Sequence, residues 1–433
     1  MKQPVCAVLD IGKTNKKAFI FDPHYRIVWE QSVQFDETTD EDGYPCENIA
    51  LLTAWVLQTV ATLLSLPDFE VKALHFTTYG ASLVHLDQNG KVIAPLYNYL
   101  KPFPESLQKQ FYETYRGEAN MARQTASPVL GSLNSGLILY RLKYEKPALF
   151  EAIRYSLHLP QYVSYLITKK FYSDITSIGC HTHLWDFDAQ CYHHWVKEEG
   201  IDTKLAPLHP ADQPLILENG VACGVGLHDS SAALIPYLVH FKTQRFVLIS
   251  TGTWCISLNP FNHTPLTDDE LRQDCLCYLQ YNGLPVKASR LFAGFEHEQA
   301  TKRLATQYEK PIDAYKNVGF DSQIIETLKN GHTPTTYEEA YHALMLDIVK
   351  AQIASTQLVL NNAEVEYLFV DGGFSKNPIY MNLLAMAFPN KKVCAASVAQ
   401  ATALGAALCL HAHWNPLKIP ADLIECQIFG KNQ

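Results

Sequence analysis

The chain has 433 residues, 47% of them hydrophobic and 18% charged, with a formal net charge of −9 at pH 7. That composition is an ordinary globular one, with length for two domains and cores that need no disulfides. The acidic balance, without a lysine or arginine run longer than two, excludes the basic face of a nucleic-acid binder. It leaves anionic small ligands open, because backbone N–H groups and metal ions can hold phosphate.

Eleven cysteines are scattered with no C-x-x-C pair. Cys275 and Cys277 are spaced by one residue, a poor zinc spacing, so free thiols in a reducing compartment are expected. The first apolar run, Val5 to Leu9, is too short for a leader, and no apolar stretch reaches 18 residues. The expectation is a cytoplasmic protein with no membrane span.

In chain order, the pattern predicts strands at Val5–Asp10, Ala18–Asp22 and Arg26–Val33, which makes an antiparallel start. A helix over 48–64 follows, then a strand over 71–77. A hairpin of Leu83–Leu86 with Lys91–Ile93 is expected around Asp87-Gln88-Asn89-Gly90. Apolar spacing predicts helix from Leu137 to Leu166. Near Arg245 the opening plan restarts, with a strand at Phe246–Ile249, a glycine turn, and a strand at Trp254–Leu258. A long helix is predicted over Tyr337–Leu360, with Thr336 and Glu339 as its capping box. A strand at Tyr367–Val370 leads to Asp371-Gly372-Gly373, and Asn377 caps the next helix ahead of Pro378. A strand at Lys392–Ala395 and a small-residue helix from Ala399 close the pattern. The two halves meet near Pro236–Arg245.

Four places carry chemistry. In Asp10-Ile11-Gly12-Lys13-Thr14-Asn15-Lys16-Lys17, a glycine turn between strands presents N–H groups to phosphate. Thr14 and Asn15 add donors, the lysines add charge, and Asp10 suits magnesium, directly or through water. The turn is not a P-loop, because position 7 is alanine and a strand follows. Ser250-Thr251-Gly252-Thr253-Trp254 repeats the form in the second half, so two such turns could grip a phosphate chain from both sides. Each alone also reads as a plain hairpin. Gly372 and Gly373 permit close approach by a flat ligand, or simply a tight strand-to-helix turn. Asp229, after Gly224 and Gly226 and before Ala232-Ala233, reads either as a helix cap or as a general base. His297, His181 and His183 read as ordinary surface or packed histidines.

Taken in order, the aspartate-glycine turn, His228-Asp229 with Ala232-Ala233, Ser250–Thr253 and Gly372–Pro378 resemble the FGGY carbohydrate kinases. The resemblance runs over essentially the whole chain. His158-Leu159-Pro160, Tyr162–Leu166, Trp185-Asp186 and Gln400–Ala407 are similar to further family segments. Thr77–Gly80, Thr264–Thr267 and the stretch through Arg290, Gly294 and Glu298 look like the rhamnulokinases. There are departures. The family carries tryptophan, aspartate and arginine where this chain has Asn98-Tyr99-Leu100-Lys101-Pro102. Thr77 and Ser82 stand where rhamnulokinases carry aspartates, Gln400 where glutamate is common, and Lys17 where arginine is.

The resemblance implies an α/β fold of two actin-like (ribonuclease H-like) domains around a cleft, residues 1–240 for sugar and 241–433 for nucleotide. It implies transfer of the γ-phosphate of ATP, with magnesium, to a hydroxyl of a ketose, foremost L-rhamnulose or L-fuculose. Asp229 would be the base and Asp10 the metal residue. Gly12, Thr14, Asn15 and Lys17 would meet phosphate from one side, and Thr251, Gly252 and Thr253 from the other. Gly373, Ser375 and Asn377 would line the adenosine site, and Thr78, Tyr79, Gly80 and His228 the sugar site. The alternative is a catalytically idle sensor on the same fold. A homodimer is compatible with either.

Overall fold

The computed structural model describes residues 2–360 and 364–430. Two seven-stranded mixed sheets organise it. The first contains β1 (Gln3–Ile11), β2 (Asn15–Phe21), β3 (Ile27–Gln34), β4 (Phe69–Thr78) and three two-residue strands, β5 (Leu215–Ile216), β6 (Ala222–Cys223) and β7 (Leu227–His228). Its order is β5-β6-β4-β1-β2-β3, with β7 also on β4. The second contains β8 (Phe246–Thr251), β9 (Cys255–Asn259), β10 (Cys275–Leu279), β11 (Pro285–Leu291), β12 (Tyr367–Gly372), β13 (Lys392–Ser397) and β14 (Glu425–Phe429), in the order β10-β11-β9-β8-β12-β13-β14. The repeated plan expected from the sequence is present. β1 runs antiparallel to β2 and parallel to β4, as β8 runs antiparallel to β9 and parallel to β12.

Strand alternation sorts the core. On β1, Cys6 and Val8 face a central cluster, while Val5, Ala7, Leu9 and Ile11 face a second one with Leu52, Trp55 and Val56 of α1 (Ile49–Ser65). Tyr162 and Val163 of α2 (Leu159–Thr168) join that second cluster. Both faces are buried, which is why β1 reads as continuously apolar. The central cluster fills the space between the sheets. It joins Phe246 and Leu248 of β8 to Ala232 and Leu234 of α3 (Asp229–His240) and to the C-terminal helix α6 (Ala401–Cys409) through Ala403, Ala406 and Ala407. The outer face of the second sheet is covered by α4 (Tyr337–Leu360) and α5 (Pro378–Ala387).

The predicted Asn377 cap and Thr336–Glu339 box are made, and Asn48 adds a cap that the sequence reading did not name. Asn48 accepts from Leu51 N–H at 3.0 Å, and Asn377 accepts from Ile379 and Tyr380 N–H at 3.0 and 3.1 Å. Thr336 and Glu339 exchange two bonds of 3.2 Å, the expected capping box. Every cysteine is a free thiol, most of them buried.

Three expectations are corrected. The predicted helix over Leu137–Leu166 is broken into helices Gly136–Glu145 and Pro147–Ala152, the strand Tyr155–His158, and α2. Pro147 and Pro160 start new helices, and Tyr155–His158 is drawn out by pairing with Leu83–Leu86. That pairing also replaces the hairpin expected at 83–93. The Asp87–Gly90 turn forms, but its return strand shrinks to the bridge Leu86↔Val92. Third, among the described residues α4 is long and apolar enough to cross a membrane, contrary to the reading that no such stretch exists. Its packing is that of a core helix: Gln352 donates to Ser257 Oγ at 3.0 Å, and Asn259 donates to Val359 O at 2.9 Å.

α3 and α6 cross at small residues. A β-carbon on Gly405 would collide with the carbonyl of Ala232. In a free helix Gly→Ala is favourable. Here the backbone contact reverses the sign, and overpacking typically costs about 1–3 kcal/mol. Gly405→Ala is therefore expected to lower stability by about that amount in a denaturant melt. An unchanged or raised midpoint would contradict the close crossing.

Candidate active site

Asp10 follows Cys6 and Val8 on the face of β1 that looks toward α6. Its two carboxylate oxygens accept the hydroxyls of Thr77 and Thr402, each at 2.7 Å. Burial raises its pKa, opposed by those two hydrogen bonds, with the charge of Asp229 raising it further and Lys17 lowering it. Lys17 Nζ reaches Gln400 Oε1 at the start of α6, 3.3 Å away.

Asp229 is the first residue of α3, and His228 is the cap residue, without a side-chain capping bond. The helix-cap reading therefore does not apply to Asp229 in its usual form. Its Oδ1 instead accepts from the N–H of the next residue, Ser230, at 2.6 Å, and lies 3.3 Å from His228 Nε2. About a third of its side chain remains open, 32%. Desolvation pushes its pKa up to about 6, opposed by the Ser230 N–H and hydroxyl. His228 is buried and its pKa is pushed down to about 4, so the ring is neutral near pH 7. Its Nε2 also lies 3.5 Å from Cys180 Sγ. The ring fits because position 80 is glycine: a β-carbon there would sit 2.8 Å from it.

Asp229 and Ser230 open into a cavity of about 330 Å³ with Ser250, Tyr278, Asp371, Gln400 and Thr402. A second cavity, about 480 Å³, is lined by Gly252, Gly294, His297, Tyr315, Gly373, Lys376 and Asn377, with Thr251 and Phe374 among its other walls. The two meet along the ends of β8 and β12, where Ser250 pairs with Asp371 and Thr251 with Gly372.

The two glycine turns are closed alike. Gly12 N–H donates to Asn15 O at 2.9 Å, and Gly252 N–H to Trp254 O at 2.8 Å. The glycines thus shape the turns, and the exposed Thr14 and Thr253 are their outward polar groups. Asn15 Oδ1 accepts from Gln34 at 2.7 Å. Several of the expected binding groups are hydrogen-bonded within the protein. Thr251 Oγ1 donates to Asp371 O at 2.6 Å and accepts from Phe374 N–H at 3.0 Å. Thr78 is buried and donates to Tyr79 O at 2.8 Å. Ser375 donates to Gly372 O at 2.8 Å. Lys16, expected to add charge to the first turn, is buried against Glu47 at 3.0 Å. Gly373 keeps open space, with nothing nearer a β-carbon than Thr251 O at 4.0 Å.

Sequence reasoning passed over His297, Tyr315, Asp371, Thr402 and Tyr278 as site residues. His297 is a packed histidine as read, bonded to Tyr341 at 3.0 Å, yet it also walls the larger cavity. His181 and His183 are packed and buried, held neutral by desolvation.

Among the described residues, no group of three or more His, Cys, Asp or Glu is arranged to hold a metal. Magnesium needs no such group, since it binds through one or two carboxylates, its own waters and substrate phosphates. Asp10, desolvated beside the like charge of Asp229, is the carboxylate such an ion would neutralise.

The shift at Asp229 has a stability signature. The unfolded chain releases that proton near 3.8 and the folded one near 6. The contribution is therefore fully present below 3.8 and is lost as pH rises through about 6. Asp229→Asn is expected to raise the melting temperature relative to wild type at pH 7.5 more than at pH 4. A gap independent of pH would contradict the desolvated carboxylate.

Known proteins are similar to this chain along most of its length. The N-terminal domain of the FGGY family of carbohydrate kinases matches residues 5–202, and the family's C-terminal domain matches residues 243–418. A rhamnulokinase of Mannheimia succiniciproducens is 23% identical over 279 residues, covering 61% of this chain and 55% of that protein. The L-fuculokinase of Escherichia coli K12 is 24% identical over 283 residues, 59% of this chain and 56% of that protein. The chain thus spans about half the length of the curated relatives it matches. In structure it is similar to a carbohydrate kinase from Novosphingobium aromaticivorans, with a TM-score of 0.82 at 22% identity over 99% of this chain and 94% of that one. A ligand-bound xylulose kinase from Lactobacillus acidophilus gives a TM-score of 0.80 at 13% identity, with 99% and 94% covered. At these identities the structural likeness speaks for the fold, that of two actin-like halves. With both domains matched in order, the chain belongs to the FGGY family of carbohydrate kinases.

Proposed function

We propose that the protein transfers the γ-phosphate of ATP to a hydroxyl of a ketose, with residues 1–240 contributing the sugar side and 241–433 the nucleotide side. The observation that carries this is Asp229, a carboxylate about a third open with its pKa pushed up to about 6, in a cavity that abuts a larger one behind the Gly252 and Gly373 turns. A base poised near neutral pH suits proton removal from an alcohol.

In this reading Asp229 accepts the proton as the sugar oxygen attacks phosphorus. Neutral His228, at 3.3 Å, orients the carboxylate without adding a charge that would hold it ionised more strongly. Phosphoryl transfer otherwise needs positioning and charge stabilisation. Thr14 and Lys17 on one side and Thr253 on the other supply donors to the phosphate chain. Gly373 and Asn377, with His297 and Tyr315, frame space for the nucleoside. Magnesium, when bound, would supply neutralisation of phosphate charge, and Asp10 is the residue that would hold it, directly or through water. The rhamnulokinase and L-fuculokinase relatives favour a 6-deoxyketohexose such as L-rhamnulose or L-fuculose as acceptor.

Two mutants test the reading. Gly373→Leu would fill the larger cavity; magnesium-ATP affinity is expected to fall in the folded protein, and unchanged affinity would move the nucleoside elsewhere. Asp229→Asn keeps size and hydrogen bonding but cannot take the proton, so kcat is expected to drop about 10²- to 10⁴-fold with ATP affinity little altered. In wild type, kcat/KM for the sugar is expected to rise with pH through about 6 as Asp229 ionises. A kcat within a few-fold of wild type in Asp229→Asn would rule out the base.

A further inference from the structure

The chain leaves the first sheet at the end of β7, where pairing with β4 stops at His228 opposite Thr78. A segment far back in the sequence, Asp174 to Cys180, holds it from the other side. Thr176 Oγ1 accepts from His228 N–H at 3.0 Å. The same hydroxyl donates to Asp174 Oδ1, which also accepts Thr176 N–H at 2.9 Å. A hydroxyl has a single proton, and here Asp174 takes it, so the oxygen meets His228 N–H purely as an acceptor. Cys180 Sγ lies 3.5 Å from His228 Nε2. One segment thus touches both the backbone and the ring of the residue before Asp229.

The segment is itself anchored. Ser173 N–H donates to Pro207 O at 2.8 Å, and Ser173 O accepts from His209 N–H at 2.9 Å. Gly179 packs so closely on Leu279 of β10 that a β-carbon there would collide with it. Ser231 of α3 donates to the carbonyl of the same Leu279 at 2.9 Å. Asp174 caps the short helical turn Ile175–Ile178. Capping accounts for the bond from Thr176 N–H, but not for the second bond that turns the hydroxyl. Asp174 and Thr176 are both fully buried, and Asp174 Oδ2 has no partner among the described residues. Desolvation pushes the Asp174 pKa up to about 7, opposed by the Thr176 hydroxyl and N–H. A carboxyl this dry is a cost to folding, and its bound oxygen is turned to Thr176.

We propose that Asp174 and Thr176 are positioning residues that fix the His228 peptide, and with it the direction in which Asp229 faces its cavity. Neither touches the acceptor; both act through His228. The inference rests on the reading of Asp229 as the base, and it adds what aims that base. A misplacement of about 1 Å can cost about 10²-fold in rate, which sets the scale of the effect.

Thr176→Val keeps the shape and removes both bonds. In sugar-dependent ADP release its kcat is expected to fall about 10- to 100-fold, with KM for ATP unchanged. Thr176→Ser keeps the hydroxyl and is expected to retain most of the wild-type kcat. The deciding measurement is Thr176→Val made in the Asp229→Asn background. With the base gone there is nothing left to aim, so no further loss of kcat is expected, whereas a merely structural role costs the same in both backgrounds. Thr176→Cys, a weaker donor and acceptor of similar size, enters the same cycle if Thr176→Val does not fold. An equal loss in both backgrounds, or wild-type kcat in Thr176→Val, overturns the inference. A second readout needs no turnover: carbon NMR of the full chain labelled at its aspartate carboxyls. In Thr176→Val the Asp229 midpoint is expected to fall from about 6 toward the ordinary carboxylate value, and in Thr176→Ser to stay. No turnover on any sugar would sink the kinase reading, while that fall would still sustain the positioning. Turnover with an unmoved midpoint and equal losses would do the reverse.

Discussion

The two halves of the core are held together where α3 and α6 cross, with Gly405 against the carbonyl of Ala232. Small residues on both helices, Ala232 with Ala403, Ala406 and Ala407, let the backbones come together between the two sheets. Each helix then delivers groups to the cleft. α3 carries Asp229 at one end and Tyr237 further along, whose hydroxyl donates to Asp371 on β12 at 3.1 Å. α6 carries Thr402 to Asp10 on β1 and has Gln400, bonded to Lys17 of β2, at its start. Asp229, Asp10 with Lys17 beyond the first glycine turn, and Asp371 on β12 are thus indexed to one helix crossing, although α6 lies far along the chain from the sheet it packs on.

The electrostatics of the cleft follow from desolvation. Two carboxylates, Asp10 and Asp229, share a space with few fixed positive charges, and each is pushed toward its neutral form. The surrounding histidines, His158, His181 and His228, are neutral for the same reason. This resting arrangement sets two carboxylates where a nearby cation would favour their ionised forms. It also leaves one of the two carboxylates able to accept a proton in the neutral range.

What could be read in the sequence was local. Glycine turns, the Asn377 cap, the Thr336–Glu339 box and the strand at the start of the chain depend on neighbours a few residues away, and each is found in the structure. The candidates Asp10, Asp229, Gly252 and Gly373 fall around two adjoining cavities or their walls for that reason. What could not be read depends on distant partners. Tyr155–His158 looks helical by spacing and becomes a strand only because Leu83–Leu86 is there to pair with it. Thr251 and Thr78 look like free donors, and only their tertiary neighbours show the hydroxyls to be committed. His297 carries no motif, and its position in the larger cavity follows from Gly294 packing against the Gly252 turn.

The measurement that bears most directly on the account is a coupled ADP-release screen of the wild-type chain with magnesium-ATP over ketopentoses, 6-deoxyketohexoses and polyols. The expected result is ADP release that depends on added sugar, is strongest with a 6-deoxyketohexose, and matches the sugar phosphate formed mole for mole. ATP hydrolysis at a rate indifferent to every sugar, or ATP binding with no turnover on any acceptor, would contradict it.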